Sequence, residues 1–186
     1  MIYTQKIIEK YYNPESEIYK NLMIHNEAVT KKALSIAKNL QEKKGAEIDL
    51  AFLKEAVALH DIAVFLTNAP NLHCFGEEKY IKHGILGREI LEKENLPKHA
   101  LVCERHVGVG ITKEGIIEEN LPLPARDMLP ETIEEKIVCI ADNFFSKDGE
   151  YMTKEKPLSL IKKLYENISP EHVERLEKLL EELGVK

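Results

Sequence analysis

Polar side chains interrupt three apolar stretches of this chain in places where a folded core has little use for them. From Ala56 to Leu66 the polar residues are His60 and Asp61 alone, and from Ile137 to Phe145 they are Asp142 and Asn143. His25 falls on the apolar stripe formed by Ile18, Leu22, Val29, Ala33, Ile36, Ala37 and Leu40 at helical spacing. A carboxylate taken out of water costs several kcal/mol unless it is paired, hydrogen-bonded or bound to a cation. Few basic residues fall in these runs, so a metal ion is the economical source of positive charge. Imidazole and carboxylate together suit Zn, Fe, Mn, Ni or Co. On a helix, adjacent His60 and Asp61 would point about 100° apart. They can serve one ion only near a helix end or where two sides face a pocket, and the second oxygen of Asp61 could reach a second ion.

Further histidines extend the set. His83 stands in Lys82-His83-Gly84, and His106 in Arg105-His106-Val107-Gly108. Taken alone, His83 could simply start a helix and His106 could be a loop residue. His99 and His172 fall in first turns of predicted helices and read as solvated. His73, in the loop after the His-Asp pair, either overhangs the pocket as an acid or phosphate contact or is an ordinary loop residue. Candidate cations for an anionic substrate are Lys147, five residues after Asp142, then Arg105, with Lys82 and Arg126 behind them. Each of these alone is an ordinary surface charge.

The elements that must position these groups read as helices. A helix over 2–12 carries Ile2, Tyr3, Ile7, Ile8, Tyr11 and Tyr12. Asn13-Pro14 is a turn in which Asn can cap the next helix, predicted over about 15–43 and ended by Gly45. A third helix is predicted from Asp49 to Leu66, then a loop from Thr67 to Gly76. Helical patterns resume over 77–82 and 84–95, and Pro97 restarts a short helix. Residues 107–131 are irregular, with one brief helix near 112–119. Thr132-Ile-Glu-Glu135 is a capping-box pattern opening a helix to about Ser146. Two last helices follow Pro157 and Ser169-Pro170, with stripes Leu160, Ile161, Leu164 and then Val173, Leu176, Leu180, Leu183. No alternating strand pattern, repeat or linker interrupts the chain, so residues 1–186 read as one all-α domain.

Composition narrows the setting. The 186 residues are 44% hydrophobic and 31% charged, within the range of a globular protein. A formal net charge of -6 argues against broad binding to nucleic acid polymers or anionic membranes, while leaving room for a local basic pocket. Cys74, Cys103 and Cys139 are scattered, which fits reduced thiols better than a disulfide framework. No apolar segment reads as a signal peptide or membrane span, so a cytoplasmic location is expected. The terminal helices would serve a homodimer contact or the domain core equally well.

The order His25, His60-Asp61, His83, His106, Asp142 resembles the HD-domain superfamily of metal-dependent phosphohydrolases over about residues 20–147. The stretches LHDIAVFLTNAP, YIKHGILGREIL, ERHVGVGIT and PETIEEKIVCIADNFFSK are similar to small archaeal and bacterial HD proteins described as hydrolases. The resemblance implies an all-α fold with a central metal site. His25, His60, Asp61 and Asp142 would bind a first divalent transition metal, and His83 and His106 a second, with Asp61 bridging. Iron or manganese is expected, with zinc, nickel or cobalt as other candidates. His60 and Asp61 would be the catalytic pair. A metal-activated water would cleave a phosphate ester or anhydride of a small phosphorylated substrate, such as a nucleotide. Some HD proteins with this ligand set are mixed-valent di-iron oxygenases, which is the alternative chemistry. A binding module with a degenerate site is disfavoured because no ligand is missing, and no Gly-Tyr-Pro follows the histidines.

Overall fold

The computed structural model describes residues 4–186, so the expected apolar positions Ile2 and Tyr3 lie outside the described residues. Helix α1 spans Thr4–Tyr11 and buries Ile7 and Ile8. Helix α2, Glu17–Lys44, starts at Ser16, whose hydroxyl accepts from the Tyr19 amide. Asn13 is therefore not the cap; its side chain closes a turn onto the Glu15 amide. Gly45 ends α2 in a left-handed conformation. One face of α2, from Leu22 through His25, Val29, Ala33, Ile36 and Ala37 to Leu40, is buried.

Helix α3, Leu50–Leu59, is capped by Asp49 and stops seven residues earlier than its apolar run suggests. Val57 and Leu59 are still helical and buried, but His60 closes the helix and a 3-10 turn, Val64–Leu66, follows. The run is apolar throughout because both the helix and the turn are interior, so hydrophobicity alone does not mark the break. Residues expected to form a plain loop contain a two-residue antiparallel ladder, β1 (Asn68–Ala69) with β2 (Cys74–Phe75). Strands this short carry no alternation to read. A 3-10 turn at Tyr80–Lys82 replaces the helix expected over 77–82 and leads into α4, His83–Lys93. Helix α5, Pro97–Arg105, packs against α4 and is followed by α6, Lys113–Glu118.

Helix α7, Ile133–Asn143, opens on Thr132, and the reciprocal bonds of the capping box with Glu135 are both present. It ends three residues short of the expected Ser146. Helices α8 (Leu158–Glu166) and α9 (Pro170–Leu183) complete the all-α fold. In α8 the buried residues are Ile161 and Tyr165, whereas Leu164 is exposed. No helix among the described residues is long and apolar enough to cross a membrane.

The cores explain how α2, α3, α5 and α7 converge. Val29, Ala33, Leu53, Val57, Ile137, Ile140 and Ala141 belong to one buried cluster, while Leu59, Ile62, Leu91 and Cys103 belong to another. Full burial of one such aliphatic side chain is worth about 1.5–3 kcal/mol. The His60-Asp61 turn lies between residues of the two clusters, which is why it is dry. Close approach of α4 and α5 depends on Gly84: a Cβ there would meet the Cys103 carbonyl oxygen at 2.7 Å.

The turn that follows α3 is pinned by Tyr12, the residue just after α1. The hydroxyl of buried Tyr12 donates to the Ile62 carbonyl at 3.0 Å, with the Asp61 carbonyl at 3.4 Å, and accepts from the Phe65 amide at 3.4 Å. Its ring meets Phe65 edge-on. Tyr12→Phe keeps the ring and deletes those bonds, leaving a buried carbonyl unsatisfied. Its expected cost is about 1–3 kcal/mol, read from urea unfolding; an unchanged midpoint would show that the hydroxyl does not hold the turn.

Candidate metal centre

Six side chains from five places in the chain meet at the point where α2, the turn after α3, α4, the end of α5 and α7 come together. His25, His60, Asp61, His83 and His106 are buried, and Asp142 is 16% exposed. Their ligand-type atoms form two groups, His25, His60, Asp61 and Asp142 in one, and Asp61, His83 and His106 in the other. Within the first, His25 Nε2 lies 2.9 Å from Asp142 Oδ1 and 3.5 Å from Asp61 Oδ2. His60 Nε2 lies 3.1 Å from Asp61 Oδ2 and 3.5 Å from Asp142 Oδ1. In the second, His83 Nε2 and His106 Nε2 are each 3.5 Å from Asp61 Oδ1 and 3.2 Å from one another. Asp61 thus turns one oxygen to each group.

The local folding explains this aim. An uninterrupted helix through residue 66 would have sent His60 and Asp61 about 100° apart. In the structure α3 ends at Leu59, His60 keeps a right-handed helical conformation, and tight turns follow in which the Ile62 and Val64 amides donate to the Leu59 and Asp61 carbonyls, each at 3.1 Å. Three of the rings are fixed from behind: Nδ1 of His60, His83 and His106 donates to the carbonyl three residues earlier, of Val57, Tyr80 and Cys103, at 2.6, 2.7 and 2.8 Å. Those bonds leave Nε2 of each ring facing the centre, the usual arrangement of a metal-binding histidine.

The residues fit a cation on an observation independent of any family. Nε2 of His25 and His60, both oxygens of Asp61 and Oδ1 of Asp142 are all buried without a well-formed hydrogen bond. Buried polar atoms are rarely left so, and here five face one another. Burial pushes the Asp61 and Asp142 carboxyls up, but His60 and Lys147 beside the first, and Lys147 and His25 beside the second, hold both well below the usual carboxylate range. Burial pushes His60 down, but Asp61 and Asp142 outweigh it and raise it to about 10. His83 is lowered to about 3, by burial and by the charges of His106 and Lys147 against that of Asp61. The carboxylates therefore demand positive charge, and among protein groups a proton on His60 and the Lys147 ammonium supply it.

Lys147 Nζ stands 2.9 Å from Asp61 Oδ2 and 3.8 Å from Asp142 Oδ1. The other cations are engaged elsewhere. Arg105 pairs with Glu135 at 3.0 Å and Glu131 at 3.1 Å. Arg126 binds Glu104, a buried carboxylate shared with Arg88, and Lys82 binds Glu78. His73 is exposed in a left-handed turn. Of the two histidines read as solvated, His99 is buried against Phe52, with Glu55 at 3.5 Å, and His172 is half-buried against the Tyr165 ring.

Tyr80 is the residue at the centre that sequence reading passes over. Its ring lies 4.7 Å from that of His83, and burial together with the charges of Asp61 and Asp142, against that of Lys147, raises its phenol to about 12. The phenol is thus a neutral donor at the edge of the cluster. A cleft beside Lys147 and His25 is walled by Ile18, Leu22, Val64 and Leu72, with Asn21 at its side.

The charge balance has a measurable consequence. With its pKa raised to about 10, His60 is expected to carry a proton at neutral pH in metal-free protein, and a metal bound at its Nε2 would displace that proton. Adding Mn²⁺ to chelator-treated protein at pH 7 in weak buffer should therefore release protons, measured by an indicator dye. Metal uptake without release would mean that His60 is not a ligand. The sign for stability follows: the raised His60 stabilises the metal-free fold below its ordinary value of 6.5 and that contribution disappears as pH rises through about 10.

Comparison with known proteins places this geometry. The HD domain family model matches residues 22–147. An uncharacterized protein of Methanocaldococcus jannaschii is 41% identical over 125 residues, covering 67% of this chain and 66% of that one. Two proteins named tRNA (cytidine(56)-2'-O)-methyltransferase also match. That of Picrophilus torridus is 37% identical over 83% of this chain and 44% of its own length, and that of Thermoplasma volcanium 31% identical over 86% and 41%. The chain thus spans from two-fifths to two-thirds of the length of these relatives. No solved structure matches it. The family segment contains all six residues of the two ligand-type groups, from His25 to Asp142, and the chain belongs to the HD domain family.

Proposed function

We propose that the protein hydrolyses a phosphate ester or anhydride of a small phosphorylated molecule, a nucleotide being the first class to try, using two divalent ions. The observation that carries this reading is the split of Asp61: one oxygen faces His25, His60 and Asp142, and the other faces His83 and His106. His25, His60, Asp61 and Asp142 would hold one ion, and Asp61, His83 and His106 the other, with manganese or iron the expected metals. Divalent ions held there would polarise a phosphoryl oxygen and lower the pKa of a bound water, so that no protein nucleophile is needed.

The chain's own groups do the rest. Asp61 fixes the spacing of the two halves. The carbonyls of Val57, Tyr80 and Cys103 keep the three Nδ1 protons off the reacting face. Lys147, partly exposed beside the cluster, neutralises charge on the substrate phosphate, and the Tyr80 phenol offers a neutral donor next to it. Two relatives are named methyltransferases, but this chain matches less than half of each, and the named activity is not carried over to it.

Protein loaded with Mn²⁺ or Fe²⁺ should release phosphate from a panel of nucleotides and p-nitrophenyl phosphate. Asp61→Ala should lower that release about a thousandfold or more, with helical circular dichroism unchanged. Lys147→Met should raise KM about tenfold or more, the scale of one charged hydrogen bond, with a smaller change in kcat. Release that survives Asp61→Ala would overturn the reading, and iron-specific oxygen consumption in place of phosphate release would select the di-iron oxygenase chemistry.

A further inference from the structure

The chain has four arginines, and three of them are paired with glutamates: Arg88 and Arg126 with Glu104, and Arg105 with Glu135 and Glu131. Arg175, on α9, is different. It forms no ion pair or hydrogen bond among the described residues, and its Nε is buried without a partner. Its nearest electrostatic neighbours are His172 and Glu171 on the same helix and the Tyr165 phenol on α8. A desolvated guanidinium donor costs free energy unless an acceptor reaches it.

Arg175 lines a cavity of about 180 Å³ that includes none of the metal-centre side chains. Val107, Ile111 and Ile168 give it apolar walls, and Thr112, His172 and Arg175 bring polar groups to it. The Thr112 oxygen accepts from the Gly115 amide, which leaves its hydroxyl proton free to donate. Glu119 is the single carboxylate among the residues that line the cavity, against the cation of Arg175. An apolar hollow with a few convergent polar groups is the ordinary form of a small-molecule site. A cavity of roughly 150 Å³ is known to accept a benzene ring.

We propose that this cavity is a second ligand site, taking a small organic anion whose carboxylate or phosphoryl group meets Arg175 and whose apolar body, about the size of one ring, fills the hollow. It is wired to the metal centre through protein. The Tyr165 hydroxyl bonds Asn143 Oδ1 at 2.5 Å, and Asn143 Nδ2 donates to the Gly108 carbonyl at 2.6 Å. Asn143 follows Asp142, and Gly108 lies two residues after His106. The site does not depend on the phosphohydrolase reading, because neither its walls nor its cation belong to that chemistry.

Titration calorimetry of the 186-residue chain with benzoate and with phenylphosphonate, which resists hydrolysis, tests it. Saturable binding of at least one is expected, weakened about tenfold or more in Arg175→Gln and retained in Lys147→Met. Binding of both probes would assign a general anion site, and binding of phenylphosphonate alone a phosphoryl site. Crystals of the wild type grown with phenylphosphonate should show it against Arg175, which keeps the test decisive if Arg175→Gln fails to fold. The proposal is overturned by the absence of saturable binding, by an unchanged titration in Arg175→Gln, or by a probe seated only beside Lys147.

Discussion

Two carboxylates held in a dry place set the terms for the rest of this molecule. Asp61 has no exposed surface and lies against four imidazole nitrogens, and the mostly covered Asp142 lies against two. The unpaired cost of either would exceed what a small domain can spare, since whole folds are stable by only about 5–15 kcal/mol. The surrounding polar groups are arranged to meet that demand. His60 is driven toward its charged form, Lys147 is drawn in from the loop after α7, and Nδ1 of His60, His83 and His106 donates to a backbone carbonyl of its own turn. A family of metal-binding enzymes is where such a balance is expected, because a divalent ion satisfies in one step what protons and one ammonium satisfy piecemeal.

The backbone changes course at the doublet: α3 stops at Leu59 and a tighter turn carries Asp61 into the point where α2, α4, α5 and α7 meet. In the turn after Leu59 the Asp61 carbonyl accepts from the Val64 amide, and the Ile62 carbonyl is taken up by the Tyr12 hydroxyl. Gly84 does a similar service on the other side: by admitting α5 against α4 it brings the His83 and His106 rings to 5.1 Å between centroids. The family segment begins at residue 22, so Tyr12 is a support contributed from outside it.

Much of this was legible in the sequence because burial leaves a local mark. His25, His60, Asp61 and Asp142 stand out as polar residues inside apolar runs, and Thr132 with Glu135 announces the start of α7. What escaped reading depends on direction or on long-range contact. Tyr80 and Tyr12 look like ordinary amphipathic aromatics until the fold places their hydroxyls. Arg105 neighbours His106 in sequence, yet its side chain turns to Glu135, as that of Arg126 turns to Glu104, and nothing in the spacing encodes that turn. His99 reads as solvated because it sits in a first turn, but the apolar side of α3 covers it. The end of α3 was invisible because turn and helix are equally apolar.

The use of a lysine rather than an arginine beside Asp61 follows from the same geometry. Lys147 approaches Asp61 to 2.9 Å, but without the alignment of a hydrogen bond, so the contact is one of charge and not of a locked pair. A guanidinium would engage a carboxylate by two donors and stay, as Arg105 does with both oxygens of Glu135. An ammonium on a flexible stem is a point charge that exchanges one oxygen acceptor for another at little cost. Under the proposed chemistry that exchange would matter: metal ions held by Asp61 and Asp142 would neutralise them, and Lys147 would be free to turn its charge to an arriving phosphate. One ammonium could then balance the carboxylates and meet the substrate in turn, which a residue fixed in a bidentate fork could not do.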